Sequence, residues 1–320
     1  MILSTKLDQF SDITSIAEGG SSVKERCILL GMTEVLYFNG CILTVFALNS
    51  RQLLSAQDLS KLGFHMLFNN TTFIGIDPTA GERPFSYAAI NQEKELLALG
   101  AGNIDEVLAF VGGQRAAYAA VCAPRRPNQR VMERNNVRQN LSPSPRPGRW
   151  INFRVVEYQL RQHNIATPRT PAEENNCPNW MRMGFELFRR LEGMSYHDYP
   201  AEKAHHQCLE VYPHACYTVL LGHPPLPKHS LEGRLQRQLI LYDHDLNVPY
   251  PLHILEEITH HRLLQGIVPQ EGLYNPGELD SLVAAYTAWM AAMQPEEVST
   301  LGHPEEGLLV LPMTVLKERY

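Results

Sequence analysis

From residue 71 onward, short apolar segments alternate first with turns and then with helical periodicity, and this order constrains the fold more than any other feature. Segments 71–77, 86–90 and 95–99 predict three strands, and their short connections make them antiparallel. A helix capped by Asn103 follows. Segment 118–123 is apolar throughout, which predicts a central fourth strand that is covered on both faces.

The second half of the chain reads as helices around one further strand. Segment 208–212 predicts a fifth strand that ends before Pro213. Apolar residues at helical spacing predict helices near 153–160, 180–191, 231–246, 252–265 and 276–290. The pattern therefore predicts an α/β protein. We expect a mixed five-stranded sheet, with three antiparallel strands and then parallel strands, flanked by helices and interrupted by helical and loop insertions.

Composition excludes several classes of protein. Hydrophobic residues make up 44% and charged residues 19% of the 320 residues, a globular balance that excludes a disordered chain or a fibre. No run of about 18 apolar residues is present, so we expect no membrane-spanning helix. The six cysteines form no C-x-x-C pair, which favours free thiols and a cytoplasmic location.

Residues 1–65 lack the order of the remainder, so we divide the chain into an N-terminal extension, 1–65, and a main domain, 66–320. One hypothesis is that the natural protein starts at Met66 and that the extension is not native. The alternative is a genuine appendage with a hairpin, because Asn39-Gly40 separates two apolar segments.

Three acidic residues are candidates for chemistry because of their positions. Asp77 ends the first predicted strand, Glu210 interrupts an apolar strand, and Asp280 lies in the first turns of the helix capped by Asn275. A buried carboxylate is costly unless it is paired or binds a cation. Carboxylates from separate elements are what a Mg²⁺ or Mn²⁺ site requires. Each acid could instead cap a turn or pair with an arginine.

The segment 115–170 contains eleven Arg, no Lys and only two acidic residues, although the whole chain has a formal net charge of −6. Guanidinium groups match phosphate oxygens, so Arg125, Arg126 and Arg130, which follow the fourth strand, are candidates for substrate binding near Asp77. Pairing of these arginines with acids elsewhere in the fold is an equally good interpretation. We interpret Tyr212 and Trp289 as packing residues.

Three segments resemble a known family. The segments 73–77 (FIGID), 209–213 (LEVYP) and 278–288 (ELDSLVAAYTA) are similar to motifs of the domain of unknown function 429 (DUF429) family, as is the ending at 306–312. That family is regarded as predicted nucleases of the ribonuclease H-like fold. The resemblance implies this fold and assigns Asp77, Glu210 and Asp280 to the catalytic metal site.

The chain departs from the family pattern at one position. Cys122 stands where the family usually has an acid at the end of the fourth strand, and a neutral thiol is a poor ligand for Mg²⁺. Glu157 is a possible replacement ligand. Our first hypothesis is a metal-dependent nuclease or phosphodiesterase that acts on nucleic acid or another phosphate-containing substrate. The alternative is a catalytically inactive ribonuclease H-like protein that binds nucleic acid or another ligand at a degraded metal site.

Overall fold

The computed structural model describes residues 29–30, 33–38, 41–46, 71–78, 85–202, 204–267 and 270–320. The chain divides into two compact units, Met1–Leu62 and Gly63–Tyr320. In the first unit, strands β1 (Leu29–Leu30), β2 (Thr33–Phe38) and β3 (Cys41–Phe46) form an antiparallel sheet. In this sheet, Phe38 of β2 pairs with Cys41 of β3. The natural start of the protein stays a prediction.

An eight-stranded mixed sheet organises the second unit. Its strands are β4 (Thr71–Pro78), β5 (Phe85–Ile90), β6 (Leu96–Gly102), β7 (Ala116–Val121), β8 (His197–Asp198), β9 (His206–Glu210), β10 (Ser299–His303) and β11 (Gly307–Leu311). The spatial order is β10-β11-β9-β7-β4-β5-β6, and β8 pairs with β9 outside this path. Strands β4, β5 and β6 are antiparallel neighbours, whereas β7, β9 and β11 continue the sheet in parallel on the other side of β4.

Helices cover both faces of this sheet. They are α1 (Ile104–Gly112), α2 (Asn135–Gln139), α3 (Val155–Gln162), α4 (Asn179–Gly193), α5 (Pro213–Leu221), α6 (Leu231–Asp243), α7 (His253–Glu257), α8 (His260–Leu264) and α9 (Pro276–Met293). On one face, α9 packs with Phe73 and Leu209 in the larger core. On the other face, Ile76 and Val121 pack with Phe188 of α4.

Helix α9 lies unusually close to β4 because small residues meet at the contact. A Cβ atom at Gly75 would lie 1.9 Å from the Ser281 carbonyl oxygen and 2.5 Å from the Ala285 amide nitrogen. Only a glycine leaves room for the helix backbone at this distance. The contact places the first turns of α9 beside the carboxyl end of β4.

The predicted α/β class and all five predicted strands are confirmed, but the predicted strand count is wrong. The sheet has eight strands instead of five. The three strands that were not expected are the short β8 and the two strands of the edge hairpin, β10 and β11. Helix α5 was also missed, since Pro213 occupies its first turn, where proline is favoured. The single helix expected at 252–265 is two short helices, α7 and α8.

Within the described residues, no helix combines the length and the apolar character needed to cross a lipid bilayer. The four cysteines with described side chains, Cys122, Cys177, Cys208 and Cys216, are buried and free.

Because α9 packs so closely on β4, we expect one added methyl group at the contact to destabilise the fold strongly. Gly75→Ala should lower the free energy of unfolding by about 3 kcal/mol or more, because the added Cβ meets the helix backbone. Gly193→Ala at the end of α4 is the control, since its Cβ would meet no atom within 4 Å. Urea denaturation measures both. Equal stability of the two variants would contradict the proposed contact.

Candidate active site at the carboxyl end of strand β4

Two of the three predicted acids meet at one place. Asp77 lies at the end of β4, and Asp280 lies in the second turn of α9. The helix begins with a capping box, in which the Asn275 side chain accepts from the Glu278 amide and the Glu278 carboxylate accepts from the Asn275 amide. Because this cap sets the first turn and Gly75 admits the helix, both carboxylates reach the same cavity. Asp77 is 8% exposed and Asp280 is 6% exposed.

The burial of the two carboxylates changes their protonation. Oδ2 of Asp77 is buried and has no hydrogen-bond partner in the described part of the chain. Burial, and secondly the negative charge of Asp280, raise the pKa of Asp77 to about 7, while Lys228 opposes the shift. Burial also raises the pKa of Asp280, against the opposing effect of Lys228. The Lys228 ammonium donates a hydrogen bond of 2.9 Å to Asp280 Oδ2.

The cavity at this site has a volume of about 690 Å³ and is lined by Asp77, Asp280 and Cys122, among others. The Cys122 thiol lies within 3.6 Å of the Asp280 backbone carbonyl oxygen, to which it donates. Burial, and then the charges of Asp77 and Asp280, raise the pKa of this thiol well above its usual value. Cys122 is therefore protonated at neutral pH, which disfavours it as a nucleophile or a metal ligand.

The structure does not bring Glu210 to this pair. Ile76, Val121 and Glu210 are register partners across β4, β7 and β9, so their side chains lie on one face of the sheet. Asp77 follows Ile76 and points to the opposite face, where α9 packs. Glu210 therefore lies across the sheet from the carboxylate pair.

Glu210 is held by an arginine instead of facing the cavity of Asp77. The Arg154 guanidinium donates two hydrogen bonds, of 2.7 and 2.8 Å, to the Glu210 carboxylate, and both side chains are buried. The Arg125 amide donates a third bond of 2.9 Å. Arg154 also donates to the Glu306 carbonyl, and the Glu306 carboxylate accepts from the Val155 amide. This network joins α3, β9 and the turn before β11.

Glu157, the possible replacement ligand, is also occupied. Its carboxylate accepts from the backbone amides of Arg154 and Thr170. Glu157 is buried near the Arg154 network and does not line the cavity that contains Asp77.

None of the three arginines predicted to bind substrate lines this cavity. Arg125 is buried and forms ion pairs with Glu192 and with Asp198. This arrangement matches the alternative interpretation of the arginines, in which they pair with acids elsewhere in the fold. Arg130 is 60% exposed and lies 4.0 Å from Glu133. Arg126 is partly exposed and makes no ion pair with the described residues. Substrate binding by Arg126 and Arg130 stays a prediction.

The carboxylate pair fits a divalent cation by the chemistry of its donors. Mg²⁺ is commonly held by one or two carboxylates and several waters, and the unpartnered Asp77 oxygen is a hard donor of this kind. Glu210 does not belong to this donor set. Among the described residues, no group of three or more His, Cys, Asp and Glu side chains is arranged to hold a metal ion.

Several residues of the cavity were not predicted from the sequence. Trp180, Tyr212, His214, Lys228 and Arg237 line it together with the acids. Tyr212 was expected to be a packing residue. Lys228 was missed because it follows a proline-rich loop that has no periodicity. The only hint in the sequence is that an isolated lysine stands two residues before Ser230, the N-cap of α6. Arg154 and Glu306 were missed as partners of Glu210 because their pairing is long-range.

The raised pKa of Asp77 predicts how stability depends on pH. The folded protein keeps a proton up to about pH 7 that the unfolded chain releases near its ordinary pKa of 3.8, so the free energy of unfolding falls as pH rises between these values. The upper bound of this loss is on the order of 4 kcal/mol. Asp77→Asn should remove this contribution, as urea denaturation at pH 5 and pH 8 in EDTA would measure. Asp245→Asn, on an exposed side chain, is the control and should keep the wild-type dependence. An unchanged dependence in Asp77→Asn would contradict the raised pKa.

The position of Glu210 predicts a structural effect. Glu210→Gln should lower the free energy of unfolding by about 3 kcal/mol, because it removes the charge of the carboxylate that accepts two hydrogen bonds from the buried Arg154 guanidinium. Glu305→Gln removes the acid of a half-exposed pair with Arg134 and should cost less than about 1 kcal/mol. Denaturation of both variants measures the difference. Equal losses in the two variants would contradict the prediction that the buried Arg154–Glu210 pair costs more to break than the exposed one.

A comparison with protein families places the chain in one of them. The model of a family described as Protein of unknown function (DUF429) matches residues 111–306. The matched segment contains Cys122, Glu210 and Asp280, and it begins after β4, so Asp77 lies outside it. No curated protein and no solved structure matches the chain. Because the matched segment spans more than half of the 320 residues, the chain belongs to the DUF429 family.

Proposed function

We propose that this protein is a metal-dependent hydrolase of phosphodiester bonds in nucleic acid, built on a ribonuclease H-like fold. One observation carries the proposal: two buried carboxylates, Asp77 and Asp280, share a cavity, and one of their oxygens lacks a partner. The sheet supports the fold, because three antiparallel strands are followed by parallel strands and an acid ends the first of them.

Asp77 and Asp280 are the residues that would hold Mg²⁺ or Mn²⁺. Such a cation, when bound, lowers the pKa of a coordinated water and neutralises charge on the phosphate. Only one cation position is proposed, because Glu210 and Glu157 are occupied elsewhere.

The side chains of the cavity have separate roles in this proposal. Asp77 and Asp280 would hold the cation beside the phosphate, and the attacking water releases its proton to solvent. The water oxygen forms a bond to phosphorus, the ester P–O bond breaks, and the leaving oxygen takes a proton from solvent. Lys228 orients Asp280 through its 2.9 Å hydrogen bond and adds a positive charge beside the phosphate.

A second candidate, a binding protein without catalysis, rests on a different observation. The Lys228 ammonium already pairs with Asp280, and Cys122 contributes a protonated thiol where a carboxylate would strengthen cation binding. In such a protein the cavity binds a ligand, and no bond is cleaved.

Cleavage of labelled single- and double-stranded DNA, RNA and hybrids in Mn²⁺ tests the proposed hydrolase. Wild type should cleave at least one of these substrates. Asp77→Asn and Asp280→Asn should each lower the rate at least about 100-fold, because each removes a carboxylate from the cation site. Asp245→Asn, on an exposed side chain that pairs with Lys94, is the matched control and should retain the wild-type rate.

Equal rates for wild type and Asp77→Asn would refute this site as the centre of hydrolysis. Cation binding by wild type without cleavage, followed by a gain of cleavage in Cys122→Asp, would instead support the second candidate. Calorimetric titration with Mn²⁺ measures the cation binding.

A further inference from the structure

The walls of the cavity differ from its acidic floor. Trp180, near the start of α4, and Tyr212, between β9 and α5, are aromatic residues that line it. The Tyr212 hydroxyl donates a 3.1 Å hydrogen bond to the Ala166 carbonyl, which holds its ring in place. An aromatic ring held in this way provides a flat surface for a ligand at a low entropic cost. Segments rich in proline complete the wall, with Pro168, Pro225 and Pro227.

Two cations line the same cavity. Arg237 is 3% exposed, and its Nη1 donates 2.8 Å hydrogen bonds to the carbonyls of Leu226 and Gly233. These bonds anchor the guanidinium at the wall. The Lys228 side chain is 43% exposed, and its ammonium is held at Asp280. His214 also lines the cavity, and burial, together with Arg237, lowers its pKa, so the imidazole is neutral at pH 7.

The size of the cavity limits what these groups can bind. A volume of about 690 Å³ lies within the range of sites that enclose one small molecule. A duplex requires an open surface with many phosphate contacts, and Arg125, Arg126 and Arg130 do not line this cavity. The cavity therefore combines aromatic rings for a planar group and cations for one anionic group within the reach of a single small ligand.

We propose that this cavity binds one nucleotide unit, with its base against Trp180 and Tyr212 and its phosphate at Lys228 and Arg237. The unit is either a free mononucleotide or the terminal nucleotide of a strand. The proposal deepens the proposed function, because the phosphate would lie beside Asp77 and Asp280. Binding itself requires neither cleavage nor a metal ion, so the two proposals can fail separately.

Isothermal titration calorimetry of the full chain in EDTA tests the proposal with defined probes. Adenosine 5′-monophosphate should bind at one site, and inorganic phosphate and adenosine should each bind at least about tenfold more weakly, since each lacks half of the recognised group. Saturable binding of the mononucleotide alone supports a free nucleotide as the source. Binding of a linear single-stranded 10-mer but not of a circular single strand supports a strand end.

Matched variants locate the site. Trp180→Leu and Lys228→Met should each weaken the binding of the nucleotide at least about tenfold, by loss of stacking and of the phosphate contact. Tyr242→Leu removes an exposed aromatic side chain and Lys317→Met removes an exposed lysine, and neither residue lines the cavity, so both controls should bind as wild type. Circular dichroism and thermal melting establish that each variant is folded.

Three results would overturn the proposal. They are the absence of saturable binding of both the mononucleotide and the 10-mer, saturable binding of the circular strand as tight as that of the linear strand, and unchanged affinity in both Trp180→Leu and Lys228→Met. Asp77→Asn should still bind the nucleotide in EDTA, because it removes only a negative charge. Binding by a wild-type protein that cleaves no substrate would leave this inference standing and reject the hydrolase. Cleavage by a protein that binds no nucleotide unit would reject this inference and leave the hydrolase standing.

Discussion

The packing of helix α9 against strand β4 at Gly75 is the contact on which the rest of the site depends. Since a Cβ at Gly75 would overlap the Ser281 carbonyl, the helix backbone can lie on the sheet only where the strand has no side chain. The same contact carries Asp280 to the end of β4 and removes Asp77 from solvent. Without this packing, the two carboxylates would be solvated acids with ordinary pKa values.

Bringing two carboxylates together in a buried place has an electrostatic cost. Lys228 offsets part of this cost at Asp280, whereas the Asp77 oxygen has no hydrogen-bond partner among the described residues. The raised pKa of Asp77 expresses the remaining cost, because a proton removes the charge that burial, and secondly the neighbouring Asp280, both disfavour. A divalent cation would relieve it in another way, by pairing with both acids. The same two buried carboxylates thus underlie both the predicted pH dependence of stability and the proposed cation site.

Acidic residues with similar sequence surroundings have different roles on the two faces of the sheet. Glu210 on β9 faces Arg154 and belongs to a buried network in which each of its two oxygens already accepts a hydrogen bond. Asp77 on β4 faces a cavity of about 690 Å³. Breaking the Arg154–Glu210 pair should therefore affect stability, whereas a change at Asp77 should affect the chemistry of the cavity as well.

The amino-acid sequence by itself determined the α/β class, the five main strands, the capped helix α9 and the candidacy of Asp77 and Asp280, because these depend on local periodicity, caps and turns. It could not determine the face of the sheet on which Glu210 lies, since a side chain changes face with a one-residue shift in strand register. Only the tertiary structure decided that Arg154 pairs with Glu210, that Arg125 pairs with Glu192 and Asp198, and that Lys228 reaches Asp280. The reason is physical: an ion pair between residues 50 or more positions apart leaves no pattern in the local sequence, and forms only when the whole sheet and its helices have packed.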